Sequence, residues 1–315
     1  MLQINDQTVA TSLDYRELVE ALRSAFLGGA RVPLRQQHAI EVPGKSTGYL
    51  ILMPAWQSGK KLGIKIVNVF PDNDGREIST VNSSYLLMDA NTGLFEVILD
   101  GNELTRRRTA AASALAASYL ARSDSKKLLM VGTGNMAEYL IRAHCAVHPI
   151  ETVDIWGRNA EHAKNLARKF VDCTYAVRPV SELEFAVSSA DIISCATMAM
   201  EPLVLGNWLV PGQHLDLVGS FTVEMRETDD IALKIADIYV DTREGALAEA
   251  GEIVQGIEAG IISESDIKAD LYDLCSGKSS GRIRDDSITL FKSVGCALED
   301  LAAAELVLKT VRGAS

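Results

Sequence analysis

The chain has 315 residues, 47% of them hydrophobic and 23% charged, which is enough for two globular domains that each bury a core. Its formal net charge of −11 argues against nucleic-acid and membrane-surface partners, because both favour basic patches. The N-terminal residues lack the pattern of a signal peptide, and no apolar run is long enough to span a bilayer. The five cysteines are scattered and show no CxxC spacing, so we expect reduced thiols in a cytoplasmic protein.

The N-terminal segment combines one helix with several strands. Apolar residues such as Leu18, Leu22 and Phe26 recur at helical spacing after Ser12, and the two glycines at 28–29 end the pattern. The strand-like runs that follow are "GYLILMPAW", "LGIKIVNVF", "SSYLLMD" and "LFEVILDG". The sequence "DANTG" between the last two predicts a hairpin turn. So many strands with short turns predict an antiparallel sheet.

Beyond Thr105 the pattern changes to short buried strands that alternate with helices. The clearest helical runs are "TAAASALAASYLA", "MAEYLIRAHCAV" and "NAEHAKNLARKF", and the strand-like runs are "KLLMVG", "TVDIWG", "ADIISCAT", "HLDLVG" and "ADIYVD". This alternation predicts an α/β fold with a doubly wound parallel sheet of the Rossmann type. The closing stretch "SITLFKSVGCALEDLAAAELVLKTV" predicts a turn followed by a long helix.

A glycine-rich loop joins the first of these strands to its helix. Gly132-x-Gly134-x-x-Ala137 follows a strand, opens a helix and lies in a βαβ unit, which is the context that a dinucleotide site requires. Gly132 permits the tight turn, and Gly134 lets the backbone approach a pyrophosphate at the positive end of the helix. The alternative is a purely structural turn.

The end of the second strand, "TVDIWGRN", bears on the choice of cofactor. An NAD site usually has an acid there for the ribose hydroxyls, whereas this strand leads into Gly157-Arg158-Asn159. An arginine at this position can pair with a 2′-phosphate, so NADPH is favoured and NADH stays possible. The alternative is a solvated surface arginine.

Lys65 lies in a strand that is apolar on both faces. Period-two alternation puts Leu62, Ile64 and Ile66 on one face and Lys65 with Gly63, Val67 and Val69 on the other. Lysine is almost never buried without a partner. Lys65 therefore either faces a substrate or pairs with a carboxylate of the protein.

Three arginines occupy the start of the helix in "LTRRRTAAASALA", where the helix dipole disfavours cations. At least one of them needs an anion nearby. That anion is either an acidic side chain of the protein or a bound carboxylate held by the guanidinium.

The stretches "RTAAASALAA", "VGTGNMA", "DIISCAT", "GALAEAGEIVQG" and "FKSVGCALEDLAAAELV" resemble the ornithine cyclodeaminase/mu-crystallin family nearly end to end. The resemblance implies a homodimer with a discontinuous α+β domain for substrate binding and dimerisation, made of residues 1–118 and 290–315. A Rossmann dinucleotide-binding domain of residues 119–289 would lie between its two parts.

The same resemblance assigns roles to individual residues. The family places catalytic and substrate-carboxylate roles on a lysine in a G-x-K strand and on the arginine of "RTAA", which match Lys65 and Arg108. Arg35 in "VPLRQQH" matches an earlier substrate arginine. The residues expected to bind the cofactor are Gly132, Gly134, Asn135, Met136, Arg158, Asn159, Thr197 and Ser293. For Thr197 and Ser293 the alternative is a hydroxyl that caps local backbone.

The residues around Gly219 depart from the cyclodeaminase pattern. Cyclodeaminases have an aspartate just after the glycine of "VGG-D", but here Ser220 follows and the next acid is Glu224. Mu-crystallin-like ketimine reductases and bacterial Δ1-pyrroline-2-carboxylate reductases also lack that aspartate. The resemblance therefore implies NAD(P)H-dependent reduction of a small cyclic imino acid, Δ1-pyrroline-2-carboxylate to L-proline or Δ1-piperideine-2-carboxylate to L-pipecolate.

Three alternatives remain: an ornithine cyclodeaminase, an amino-acid dehydrogenase of the same family, and a non-catalytic NADPH-binding protein of the crystallin kind. A metal enzyme is not expected. His144 and His148 are four residues apart, but the sequence offers no third ligand of the right type nearby.

Overall fold

The computed structural model describes residues 1–73, 75–76 and 78–313. The chain divides into two compact units, of which the first comprises residues 1–109 and the chain from Cys296 on, and the second comprises Ala110–Gly295. Among the described residues, no helix combines the length and hydropathy that a membrane-spanning segment needs.

The strands are β1 (Leu2–Ile4), β2 (Gln36–Ile40), β3 (Gly48–Trp56), β4 (Lys61–Val69), β5 (Val81–Asp89), β6 (Phe95–Asp100), β7 (Lys127–Val131), β8 (Thr152–Trp156), β9 (Ala176–Pro179), β10 (Ile192–Cys195), β11 (His214–Leu217), β12 (Ala236–Val240), β13 (Ile267–Asp270) and β14 (Ile288–Lys292). The helices are α1 (Asp6–Ser12), α2 (Tyr15–Gly28), α3 (Gly101–Leu120), α4 (Ala137–Val147), α5 (Ala160–Ala167), α6 (Leu183–Ser189), α7 (Asp230–Ile235), α8 (Arg243–Glu249), α9 (Gly251–Glu258), α10 (Leu271–Cys275) and α11 (Ala297–Gly313).

The first unit is built on a sheet with the strand order β1-β6-β5-β4-β3-β2. Strands β2 to β6 pair antiparallel, as predicted, and β1 joins β6 in parallel. The sequence pattern missed β1 and β2, because β1 has three residues and every residue of β2 is exposed. Three residues are too few to establish an alternation, and a strand with no buried residue has no apolar face that marks it.

One face of this sheet is covered by α11, which packs on β3, β4 and β5. On β4, Gly63 and Lys65 are buried, whereas Leu62, Ile64 and Ile66 on the opposite face are half-buried. Gly63 is required there, because a Cβ atom would lie 1.9 Å from the Tyr85 hydroxyl of β5. The predicted two faces of β4 are confirmed.

The second unit contains the predicted parallel sheet, with the order β13-β12-β14-β11-β10-β7-β8-β9. All of its strand pairs are parallel, which confirms the doubly wound Rossmann class. The chain moves from β7 outward to β8 and β9, then returns to β10 on the other side of β7. The carboxyl ends of β7 and β10 thus form the switch point at which such sheets bind ligands.

The predicted turn before the closing helix is wrong at Ile288–Lys292, which form β14 between β11 and β12. A short apolar run with both faces buried has no period that separates strand from turn or helix.

The unit boundaries also differ from those expected at 118/119 and 289/290. The first boundary lies inside α3, since the buried Ser113 hydroxyl donates a hydrogen bond to Asp216 of β11 at 2.8 Å. The second follows β14, because that strand belongs to the parallel sheet. Substrate binding and dimerisation by the first unit stay predictions.

Candidate active site

Lys65 forms a buried ion pair within the first unit. Its Nζ lies 3.0 Å from Oδ1 and 2.9 Å from Oδ2 of Asp300 on α11. Lys65 is 2% exposed and Asp300 is fully buried. The sequence left open a substrate or a protein carboxylate as the partner of this lysine, and the structure supplies the carboxylate.

Arg108, on α3, shares that carboxylate. Its Nε donates to Asp300 Oδ1 at 2.9 Å, and its Nη1 donates to Glu299 Oε2 at 2.6 Å. Acidic side chains of the protein therefore compensate this arginine. A guanidinium has five N–H donors, and among the described residues no side chain or carbonyl accepts from Nη2 of Arg108. Nη2 is thus the guanidinium nitrogen for which the described residues supply no acceptor.

The charges in this cluster shift one another's pKa values. Burial, with the charge of Arg108 next, lowers the pKa of Lys65 to about 8, while Asp300 opposes both effects. Burial by itself would raise the pKa of Asp300, but Arg108 and Lys65 outweigh it and hold that pKa below its usual range. Asp300 is therefore ionised, and Lys65 loses its proton at a lower pH than a solvated lysine does.

Arg35 lies beside the start of β2, two strands away from Lys65 of β4. It immediately precedes β2, where Gln36 pairs with Leu52, and the next residue of β3, Met53, pairs with Lys65. Its charge contributes to the lowered pKa of Lys65. The structure thus brings together the three residues predicted to bind substrate.

Sequence reasoning missed Asp300, Glu299 and Tyr85. The two acids lie in a helix that is otherwise apolar at Ala297, Leu298 and Leu301–Ala304, and buried acids need cationic partners. That contrast is a signal that could have identified them. Tyr85 pairs directly with Lys65 across the strands, and burial, with the charge of Asp300 next, raises the pKa of its buried hydroxyl well above 10.

The glycine loop of the second unit fits a dinucleotide. Gly132 has φ of 115°, and a Cβ there would lie 2.6 Å from the carbonyl oxygen of Ala196. A Cβ on Gly134 would meet nothing within 4 Å, so the backbone is open to a ligand at that point. Met136, the N-cap residue of α4, makes no side-chain capping bond. The Ala137 amide donates to Gly134 O at 3.1 Å, so an anion at this helix start would meet the amides that follow Ala137.

Other predicted cofactor residues surround this loop. The amide of Gly132 donates to Trp156 O at the end of β8, two residues before Arg158. Arg158 is exposed, and no described residue pairs with its guanidinium. Asn135 is also exposed, whereas the Asn159 side chain caps α5 by accepting from the Glu161 amide at 2.9 Å.

The hydroxyls of Thr197 and Ser293 already have partners. The Thr197 amide and hydroxyl donate to Glu227 Oε1 at 2.7 and 2.8 Å. The Ser293 hydroxyl donates to Asp241 Oδ2 at 3.2 Å. Both partners are carboxylates and not the local backbone that the alternative expected. Contact of these two residues with a cofactor stays a prediction.

The segment after Gly219 has a serine, Ser220, in place of the aspartate expected of a cyclodeaminase. The Ser220 hydroxyl donates to Met225 O at 2.7 Å, so it serves the local turn. Glu224 is exposed. The next acid along the chain, Glu227, is buried, and its oxygens accept from Thr197 and from the Gly219 amide. Glu227 is thus committed to donors of the two neighbouring segments.

The paired histidines belong to a buried network. His144 Nε2 lies 3.2 Å from Asp216 Oδ2, and the rings of His144 and His148 are 6.4 Å apart. In the part of the chain that the structure describes, no three His, Cys, Asp or Glu side chains are grouped to hold a metal ion.

Comparison with known proteins identifies the relatives of this chain. The model of the ornithine cyclodeaminase/mu-crystallin family matches residues 1–315. The Δ1-pyrroline-2-carboxylate reductase of Paracoccus denitrificans is 39% identical over 302 residues, which cover 96% of this chain and 94% of the relative.

Two solved structures share the fold over the whole chain. Thermococcus litoralis Δ1-pyrroline-2-carboxylate reductase in complex with NADH and L-proline superposes with a TM-score of 0.93 at 33% identity, covering 100% of this chain and 98% of that one. An archaeal alanine dehydrogenase dimer with bound NAD has a TM-score of 0.90 at 28% identity, covering 100% and 97%.

Proposed function

This chain belongs to the ornithine cyclodeaminase/mu-crystallin family, and from that premise we propose that it reduces cyclic ketimine 2-carboxylates with a nicotinamide dinucleotide. The substrates are Δ1-pyrroline-2-carboxylate, giving L-proline, and Δ1-piperideine-2-carboxylate, giving L-pipecolate. The observation that carries this proposal is the pair Lys65 and Arg108, held on one buried carboxylate, Asp300. The relatives named as reductases of this imine support it.

Each residue of the cluster has a chemical task in this reaction. Arg108 binds the substrate carboxylate through Nη2, since its Nε and Nη1 are held by Asp300 and Glu299, and Arg35 adds a second cation. A fixed guanidinium places the adjacent imine carbon in a defined position. A bound nicotinamide cofactor would supply the hydride to that carbon.

Lys65 manages the proton. Reduction of a C=N bond adds a hydride to carbon and leaves one proton to be gained by nitrogen. An ammonium with a pKa of about 8 is protonated at neutral pH and gives up its proton readily, which suits a general acid. Asp300 fixes the position of the ammonium and stays ionised throughout.

The cofactor site is assigned to the second unit. The loop of Gly132 and Gly134 with the amides of α4 would hold the pyrophosphate, and Arg158 would hold a 2′-phosphate. NADPH is therefore the preferred cofactor, and NADH remains a substrate of the same site. Asn135, Met136, Asn159, Thr197 and Ser293 are proposed to line it.

Cyclodeamination is the alternative that the turn after Gly219 disfavours. That reaction needs a base to manage the side-chain amine as it attacks the imino carbon. A serine hydroxyl does not titrate near neutral pH, and Ser220 is committed to Met225 O. A preformed cyclic imine has no such requirement.

We also propose that the protein is a cytosolic homodimer whose first unit contributes the interface. The half-buried apolar face of β4, formed by Leu62, Ile64 and Ile66, lies opposite the face that α11 covers. A second copy would bury it. The five free cysteines fit a reducing compartment. Light scattering on the purified chain tests the dimer, and a mass of 34.1 kDa at micromolar concentration would refute it.

The decisive experiment measures consumption of NADPH and NADH with the pyrroline and piperideine 2-carboxylates side by side. We expect turnover with both imines. A parallel incubation with L-ornithine and catalytic NAD, assayed for ammonia and proline, separates the alternative. Ammonia release at a rate comparable to imine reduction would overturn the reductase assignment.

A further inference from the structure

The carboxylate of Glu227 joins the ends of two neighbouring strands in the second unit. Its Oε1 accepts from the Thr197 amide at 2.7 Å and from the Thr197 hydroxyl at 2.8 Å, while Oε2 accepts from the Gly219 amide at 2.8 Å. Thr197 follows β10 and Gly219 follows β11, and these strands pair in parallel up to Cys195 and Leu217. One side chain thus connects both segments at the carboxyl edge of the sheet.

The junction has no spare room. A Cβ on Gly219 would lie 2.0 Å from Thr197 O, 2.3 Å from Thr197 N and 2.5 Å from Glu227 Oε1. The backbones of the two segments therefore lie against each other at Thr197 and Gly219, and the Glu227 carboxylate bonds to both. No residue larger than glycine could keep this close approach at position 219. Both oxygens of Glu227 must accept hydrogen bonds to satisfy the three donors.

Two further buried charges hold Glu227 itself. Its amide donates to Glu252 Oε1 at 2.7 Å, and Glu252 Oε2 lies 3.5 Å from Lys292 Nζ at the end of β14. All three side chains are fully buried. Burial raises the pKa of Glu227 to about 7; Lys292 opposes this shift, and Glu252 adds to it. The two acids thus depend on one cation.

We propose that Glu227 is a positioning residue for the nicotinamide cofactor, holding Thr197 and Gly219 in place at the switch point of the parallel sheet. The inference rests on the proposed function, because it presumes that this edge binds the cofactor. The ionised carboxylate accepts at both oxygens, whereas a protonated one turns an oxygen into a donor that faces N–H or O–H groups. Cofactor affinity therefore follows the ionisation of Glu227.

The test substitutes Glu227→Gln, which keeps the shape but presents an NH₂ group to either Thr197 or Gly219. We expect the Kd of NADPH and NADH, measured by protein fluorescence or calorimetry, to rise at least about tenfold, the loss of one charge-assisted contact. Wild-type affinity should weaken as the pH falls from 8 to 6, and the variant should lose this dependence. The groups facing Glu227 in that titration are Glu252 of α9, Lys292 of β14 and Cys195 of β10.

A matched control is Asp216→Asn. Asp216 is a buried carboxylate of β11 that also accepts three hydrogen bonds, from Ser113, Ser194 and His144, but it contacts none of the predicted cofactor residues. This variant should lose thermal stability and keep both Kd values within about twofold. An equal loss of affinity in both variants would mean that any buried acid matters, and it would overturn the proposal.

Further outcomes separate the inference from the proposed function. If the wild type binds neither cofactor, the proposed function fails and this inference with it. If the wild type binds and Glu227→Gln binds equally well, only the inference fails. Should Glu227→Gln not fold, the wild-type pH profile and Thr197→Val decide. That second variant removes the hydroxyl donor alone, and unchanged affinity together with a flat wild-type profile would refute the proposal.

Discussion

Lys65 Nζ donates a hydrogen bond to Asp300 Oδ1 at 3.0 Å, although 235 residues separate the two in sequence. The pair joins β4 to α11 in the interior of the first unit. Removing one partner of a buried ion pair leaves an uncompensated charge. Lys65 and Asp300 therefore affect both the stability of this unit and the proposed chemistry, and the two effects can be separated.

Lys65→Met and Asp300→Asn should each lower the free energy of unfolding by about 3–5 kcal/mol. The double variant should lose less than the sum, with a coupling of about 0.5–3 kcal/mol, yet show no turnover. Urea unfolding and NADPH consumption measure the two quantities. Lys61→Met is the control on the same strand, since its pair with Glu96 is partly exposed and contributes only about 0–1 kcal/mol. Strictly additive losses, or a double variant that turns over, would contradict this prediction.

Arg108→Lys should impair turnover more than folding. Lysine keeps a positive charge near Asp300 and Glu299, but it lacks the planar fork that leaves Nη2 for the substrate. We expect kcat/KM for the imine to fall roughly 30- to several-thousand-fold, which corresponds to a loss of about 2–5 kcal/mol of transition-state stabilisation. The Kd of NADPH should stay unchanged. Arg107→Lys is the neighbouring control, because Arg107 pairs with Glu103. More than half of wild-type kcat/KM in Arg108→Lys would remove Arg108 from the site.

Turnover should decline in alkaline solution. Burial, with Arg108 adding to it, lowers the pKa of Lys65 from 10.5 to about 8, so the proton donor is lost above that pH. We expect log kcat/KM to fall with a slope of about −1 per pH unit above pH 8. Lys65→Arg should lack this limb while retaining any titration of the substrate itself. A wild-type profile that stays flat to pH 10 would exclude Lys65 as the acid.

The lowered pKa of Lys65 makes stability increase with pH over the range in which turnover declines. The unfolded chain keeps the Lys65 proton up to about its usual pKa of 10.5, whereas the folded chain releases it near 8. Between these values the unfolded state binds more protons, so the contribution of Lys65 to the free energy of unfolding increases with pH. Urea titrations at pH 7.5 and 9.5 should show this as a widening difference in the free energy of unfolding between the wild type and the less stable Lys65→Met.

Cofactor choice depends on Arg158. Its exposed guanidinium lies two residues beyond β8, whose end contacts Gly132, and it can pair with a 2′-phosphate. The wild type should bind NADPH more tightly than NADH, and Arg158→Ala should reduce the gap by lowering NADPH affinity alone. Arg168→Ala is the control, because Arg168 is also an exposed arginine of the second unit. Equal dissociation constants for the two cofactors in the wild type would refute this assignment.

Features that depend on neighbouring residues could be predicted from the sequence. The loop from Gly132 to Ala137, the strand before it and the helix after it form within one short window, because glycine conformation and helical period are local properties. The alternation after Thr105 gave the parallel sheet for the same reason. The two faces of β4 followed from the period of two, which put Lys65 on the buried side.

Only the tertiary structure decided which charges meet. Asp300 and Glu299 lie at the other end of the chain from Lys65, and no periodicity links a strand to a helix 235 residues later. The place of β14 between β11 and β12 and the boundary inside α3 likewise depend on long-range pairing. The role of Glu227 depends on the approach of Thr197 to Gly219 after two separate strands. Buried charges must find partners, and the fold determines which ones.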